Sequence, residues 1–190
     1  MKEKLTLRNL VICIAAFIAL LIFCLSFAVK AHIEIEGAHY RFFTAVWHIE
    51  KVVGVENGHI ETTMLPKEYT SLFALPLVGF ILALVAGIGA VVIALLVKNE
   101  KLSKILILVC AVLMIAGGVF MFFVGESAIR TFTLANGGTL AHVTEMKEVM
   151  KELGGKYYTG ILGIICGVLS ILAGAAMGAF QFLPDKKLVN

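Results

Sequence analysis

Residues 159–180 read TGILGIICGVLSILAGAAMGAF, and the fold follows from how this stretch must be packed. It carries no ionisable side chain and is long enough, at about 1.5 Å rise per residue, to cross the ~30 Å hydrocarbon layer of a bilayer. Gly160, Gly163, Gly167, Ser170, Gly174 and Gly178 recur at intervals of 3, 4, 3, 4 and 4, which places all six on one helical face. A face almost without side chains lets a second backbone approach closely. In lipid, where burial of apolar surface gives no net drive, such contact holds helices together. The stretch is therefore expected to be a membrane-spanning helix packed along its glycine row.

The rest of the chain agrees with that solvent. Of 190 residues, 60% are hydrophobic and 15% charged, against about a quarter charged in soluble domains. The apolar residues come in blocks, which defines a polytopic membrane protein. Working outward, residues 105–124 form a second apolar block with Gly117-Gly118 inside it, and residues 71–97 a third. The third opens with Pro76, where a first turn tolerates proline, and carries Gly79, Ala83 and Gly87 at four-residue spacing. It is expected to lie beside the glycine row of residues 159–180. Residues 10–29 form the fourth block. They exceed the 7–15 residues of a signal-peptide core and no A-x-A site follows, so a retained first span is expected. The expected class is all-α membrane, a four-transmembrane-helix bundle with a small extracellular antiparallel β-sheet, forming a single tetraspan membrane domain over residues 1–190.

The sheet is read from residues 30–70. Residues 31–37, AHIEIEG, alternate polar and apolar, the period of a half-buried strand. Residues 40–53 are rich in aromatic and β-branched types, Asn57-Gly58 is the strongest hairpin dipeptide, and residues 59–65 alternate again. Three or so strands are expected, ended by Pro66. In the other polar segment, residues 125–158, Asn136-Gly137-Gly138 marks a break. Leu140, Val143, Met146, Val149, Met150 and Leu153 then give an amphipathic helix stopped by Gly154-Gly155 and expected to pack on the sheet. Tyr157 and Tyr158 read as part of an interfacial aromatic belt.

Charge orients the spans. Lys2, Lys4, Arg8, Lys98, Lys101, Lys104, Lys186 and Lys187, with only Glu3, Glu100 and Asp185 opposing them, lie in short segments on one side. The other side spreads eight basic and ten acidic residues over about three times that length. Both termini are expected in the cytoplasm of a plasma membrane, and all five histidines outside. The lack of N-x-[ST] sequons and of cysteines in polar segments suits a bacterial plasma membrane. Cys13, Cys24, Cys110 and Cys166 all sit in apolar runs, where they read as small buried hydrophobes.

The formal net charge of +3 and the absence of basic runs interleaved with aromatics argue against a nucleic-acid partner. The spans lack ionisable groups at mid-depth, which argues against a proton relay or ion pathway within one chain. There is no GxxxxGK[ST], GxSxG or HExxH, and no enzyme is expected. In the outer segment, His32 and Glu34 share a strand face, and His48 and His59 each open an H-x-E triplet. These four are the candidate ligands for zinc, set against the plainer reading of a solvated strand face. The same histidines are alternative candidates for pH sensing. Tyr40, Phe42, Phe43 and Trp47 are candidates for an outer-face interaction surface, or for the core of the sheet.

The order of these parts, a short cytoplasmic N-terminus, a strand-patterned outer segment with Trp47 followed by His48-Ile49-Glu50, a tight cytoplasmic turn, a shorter outer segment and a cytoplasmic tail, resembles the claudin and peripheral-myelin-protein group of tetraspan proteins. The resemblance is one of layout. The group's W…GLW…C…C pattern is represented by Trp47 alone, with no cysteine pair. It implies a helix bundle capped by a sheet and roles in lateral assembly or adhesion. The expected function is non-enzymatic: association with membrane lipids, with copies of itself or with another membrane protein as an accessory subunit, the sheet supplying specificity. The alternatives are a transporter or channel component, an oligomer that binds lipid or another hydrophobic ligand, and an outer-face metal or pH sensor.

Overall fold

The structure is a computed structural model describing residues 6–35, 38–43, 51–56, 59–64 and 72–183, with backbone only at 41–43, 51–56 and 59–64. Trp47, His48, Asn57-Gly58, Pro66 and the tail from Pro184 lie outside the described residues. The elements run α1 (Leu7–Ser26), β1 (Ala31–Ile35), β2 (Ala38–Phe43), β3 (Lys51–Glu56), β4 (His59–Met64), α2 (Ala74–Leu96), α3 (Glu100–Met121), α4 (Val124–Ala135), α5 (Val143–Glu152), β5 (Lys156–Thr159) and α6 (Ile161–Ala179). Four of them, α1, α2, α3 and α6, are long and apolar enough to cross a membrane. The chain divides into two compact units. One comprises Met1–Cys24, Val78–Phe120 and Cys166–Asn190, and the other Leu25–Leu77 and Met121–Ile165.

The first unit is helical, and its helices approach one another closely at small residues. A methyl group placed on Gly118 of α3 would come within 2.7 Å of the Gly167 carbonyl oxygen of α6, and one on Gly174 within 2.8 Å of the Ala111 carbonyl oxygen. Residue numbers rise along one helix as they fall along the other, so α3 and α6 are antiparallel. Between those two crossings the Ser170 hydroxyl donates to the Met114 carbonyl at 2.7 Å. The polar atom of the α6 row thus bonds the neighbouring helix instead of its own turn. On the other side of α3, Gly117 meets the Gly79 carbonyl and the Ala83 nitrogen of α2. Gly87 of α2 faces Ala15, Ala16 and Ala19 of α1.

Small-residue rows therefore do meet, but the pairing differs from the sequence expectation. Gly79 and Ala83 of the α2 row, and Gly167, Ser170, Gly174 and Gly178 of the α6 row, lie against α3. Adjacent glycines project about 100° apart on a helix, so the Gly117-Gly118 pair serves two neighbours at once.

Beyond the first turn of α3, which carries Glu100, Lys101 and Lys104, the long helices expose large apolar side chains. Phe17 is 68% exposed, Leu96 73%, Val112 63% and Leu172 60%. A soluble helix places charge there.

The second unit carries the sheet, which has five strands in the order β4-β3-β2-β1-β5, all neighbours antiparallel. The registers pair Ile35 with Ala38 and Glu56 with His59, leaving two residues for each connection, the length that Asn57-Gly58 suits. The fifth strand comes from the second polar segment. Lys156–Thr159 pairs with β1, and the ladder continues as Gly160 N–H donates to the Lys30 carbonyl at 2.8 Å. Tyr157 and Tyr158 are strand residues in it. Two neighbouring side-by-side strand partners at once, β2 and β5, make β1 the strand that joins the two polar segments.

The other departure is α4, a helix at the start of the second polar segment, where no element is read from the sequence. Its buried face is Val124, Gly125, Ser127, Ala128, Ile129, Thr131 and Thr133. The Thr131 and Thr133 hydroxyls donate to carbonyls one turn back, at 2.9 Å each, which satisfies them without solvent. It is α4 that packs most extensively on β1 and β5, while α5 packs on α4 and meets the sheet where Lys147 passes over Tyr157. Leu140–His142 enters α5 as a 3-10 turn.

The two glycine pairs close α4 and α5 by one device. Gly137 and Gly154 adopt φ of 80° and 66°. Gly138 and Gly155 N–H then reach back to the carbonyls of Thr133 and Met150, at 3.0 and 2.7 Å, the Schellman pattern.

Candidate functional site

The sheet brings its chemistry together on the polar face of β1 and its two neighbours. His32 stands opposite Tyr158, and Glu34 stands between His39 on β2 and Lys156 on β5. The His32 and Tyr158 rings stack, centroids 5.1 Å apart and 13° from parallel. The Tyr158 hydroxyl donates to a Glu34 carboxylate oxygen at 2.7 Å, and His39 Nδ1 lies 3.5 Å from the same oxygen. The Tyr158 hydrogen bond holds the Glu34 carboxyl below the usual carboxylate range. Desolvation opposes this, while His39 and Lys156 add to it. The cluster is solvent-facing, with Glu34 and His39 side chains 37% and 52% exposed.

Beneath β5, a second cluster fastens the strand to the helices. α3 breaks at Phe122-Phe123 before α4 begins. The Thr159 hydroxyl sits in the break, donating to the Phe122 carbonyl at 2.9 Å and accepting from Gly125 N–H at 2.9 Å. A methyl on Gly125 would come within 2.7 Å of the β5 backbone, so only glycine admits this approach. Lys147 of α5 reaches both Glu126 oxygens, at 2.6 and 2.8 Å, and passes 5.7 Å over the Tyr157 ring. Arg130 adds a longer contact to Glu126 at 3.4 Å.

Two clefts open along β5. One, about 550 Å3, runs between α5 and the strand, past Lys147, Lys151, Lys156 and Tyr157. The other, about 280 Å3, runs between the α3–α4 break and the strand, past Phe122, Phe123 and Tyr158.

Not all the residues singled out in the sequence converge. Of the four zinc candidates, His32 and Glu34 lie together. His59 is on β4, three strands away, or about 14 Å at normal strand spacing. That is too far for one ion's ligand shell, with bonds near 2 Å. His48 lies outside the described residues. Among the described residues no three His, Cys, Asp or Glu side chains group closely enough to hold a metal ion. The histidines also divide by role, since His142 Nδ1 accepts from Thr139 N–H at 3.0 Å and caps a turn.

Of the aromatic candidates, Tyr40 packs on Phe132 of α4, centroids 5.2 Å apart, which places it between sheet and helix and not on a free outer surface. Phe42 pairs in register with Ala31 and Val52, Phe43 with Lys51, and Trp47 lies outside the described residues. In the α6 row, Gly160 and Gly163 approach Lys30 and Val29, while Gly167, Ser170, Gly174 and Gly178 face α3.

Sequence reasoning missed Thr159, Gly125 and the Glu126–Lys147 pair. Their partners are 34 and 21 residues away in the chain, beyond any local periodicity. The signal available was the lone glycine at 125, just past the apolar block, and a threonine preceding Gly160.

No protein-family model matches the chain, and no curated protein is significantly similar to it in sequence. The class that the fold defines is a tetraspan layout: four helices fit to cross a membrane together with a small antiparallel sheet.

Proposed function

We propose that the protein is a multi-pass membrane protein that acts by association and not by turnover, as a claudin-like tetraspan. α1, α2, α3 and α6 cross a plasma membrane with both termini in the cytoplasm and the polar segments 30–70 and 125–158 outside. The observation that carries this reading is the division of surface on the long helices. Their small residues are used on one another, and past the charged first turn of α3 the large side chains left exposed are apolar. On α3, Ile105, Leu108, Val109, Val112 and Leu113 even line a shallow, wholly apolar groove of about 310 Å3. Such a face meets lipid or another apolar helix and offers nothing to an ion or a polar substrate. The cluster around Glu34, exposed and hydrogen-bonded, suits recognition by a partner outside the bilayer.

The reading is tested by native mass spectrometry after extraction in mild detergent. Two or more copies of the chain, or a fixed-ratio complex with another membrane protein, are expected. A single chain without companions would count against it.

A further inference from the structure

We propose that the exposed face of α5 is the docking surface for another protein, one that presents apolar side chains beside a row of lysine or arginine. The proposal rests on the association reading above and names the kind of partner. A surface helix ordinarily has one apolar stripe, turned to its core. α5 has two. Val143 and Met150 are buried, on the side from which Lys147 reaches Glu126 of α4. Met146, Val149 and Leu153 recur at intervals of 3 and 4 on a different face. Val149 is 47% exposed, Leu153 at the helix cap 44%, and Met146 is half-buried. Residues one turn apart touch along a helix, so these form one patch and not scattered exposures.

Each residue of the patch follows an acid. Glu145, Glu148 and Glu152 run beside it at the same intervals, about 100° round the helix. All three are exposed, and among the described residues none of them makes an ion pair. Glu148 also borders the cleft beside β5. The two lysines of α5 do not answer the row on this face. Lys147 is held by Glu126, and Lys151 projects about 160° round from Val149. Charge then decides what covers the patch. An anionic bilayer surface would repel the glutamates. A second copy brings the same apolar and acidic residues and no Lys or Arg on this face. A partner with bases flanking its apolar side chains is complementary to both rows.

The test places the photo-cross-linker benzoylphenylalanine at position 149 of the full chain in its native cells. Irradiation should give one dominant adduct with another protein, and peptide mass spectrometry should place the bond in a segment with Lys or Arg within one helical turn of it. The combined change Glu145→Gln, Glu148→Gln and Glu152→Gln should lower the yield about tenfold, the size expected when three exposed ion pairs are lost. That variant should melt at the same temperature as its parent. The cross-linker at position 151, on the far side of the helix, should not give the same adduct. No adduct at 149, an adduct only with lipid or a second copy, a bonded segment without bases, or a yield that survives the triple change would overturn the site. Native mass spectrometry reports separately on the association reading. A fixed-ratio complex without an adduct at 149 would sink the site and spare that reading, whereas a lone chain and no adduct would sink both.

Discussion

Gly89 and Gly118 both stand inside apolar helices, yet a methyl group would mean something different at each. At Gly118 it would press on the Gly167 carbonyl oxygen at 2.7 Å and the Ile171 backbone nitrogen at 3.1 Å, neither of which can swing aside. At Gly89 its nearest neighbour would be the Cys110 sulfur at 3.7 Å, an ordinary contact. Gly118→Ala should therefore destabilise the protein by about 1–3 kcal/mol, as overpacking does. Gly89→Ala should be neutral or gain up to about 1 kcal/mol from helix propensity. Melting curves in one detergent check the pair, and equal shifts would show that the α3–α6 contact is not close.

Thr159 is the second residue on which geometry turns. Thr159→Val keeps the shape but strands the Gly125 N–H and loses the bond to the Phe122 carbonyl. Each buried group left unpaired costs about 1–3 kcal/mol. Hydrogen exchange at Gly125 should rise in that variant, whereas unchanged protection would mean that water or another group replaces the hydroxyl.

At the scale of the element, β5 ties the two polar segments into one sheet, and Tyr158 with Glu34 fastens it. The Glu34 carboxyl is held below its ordinary value in the folded protein, chiefly by the Tyr158 hydroxyl. A group depressed in this way adds stability above its unfolded pKa and loses it as pH falls through the folded one. Melting temperature should therefore drop as acid protonates Glu34, and Tyr158→Phe should flatten that drop. A variant whose melting follows the same acid limb as wild type would show that the bond contributes nothing.

The same elements show what could be read from residues alone. The long helices were legible because each is an uninterrupted apolar run, and β1 because 31–37 alternate strictly. β5 was not, since K-Y-Y-T spans four residues beside an apolar run and its tyrosines equally describe a membrane belt. α4 was hidden because Ile129, Thr131 and Thr133 are β-branched, and its threonines become buried only by bonding their own helix. Gly137 and Gly154 were legible as stops because a left-handed residue is needed there. Which helices the glycine rows face depended on Gly117-Gly118, a pair whose two-sided use no single-face pattern reveals. Of the site, His32 and Glu34 could be placed together from strand period. His59 could not be excluded until strand order was known.

For the whole molecule, the rest follows from the proposed topology, in which four helices cross the bilayer and the polar segments 30–70 and 125–158 share one side of it. In that topology an even number of crossings would put both termini on the other side together with the turn at residues 98–104. Cysteine-free protein carrying a single cysteine at position 57, 101 or 152 tests this in intact cells with a membrane-impermeant maleimide. The account predicts labelling of Asn57→Cys and Glu152→Cys from outside, and of Lys101→Cys only after permeabilisation. Labelling of 57 and 101 from the same side, or of 57 and 152 from opposite sides, would contradict it.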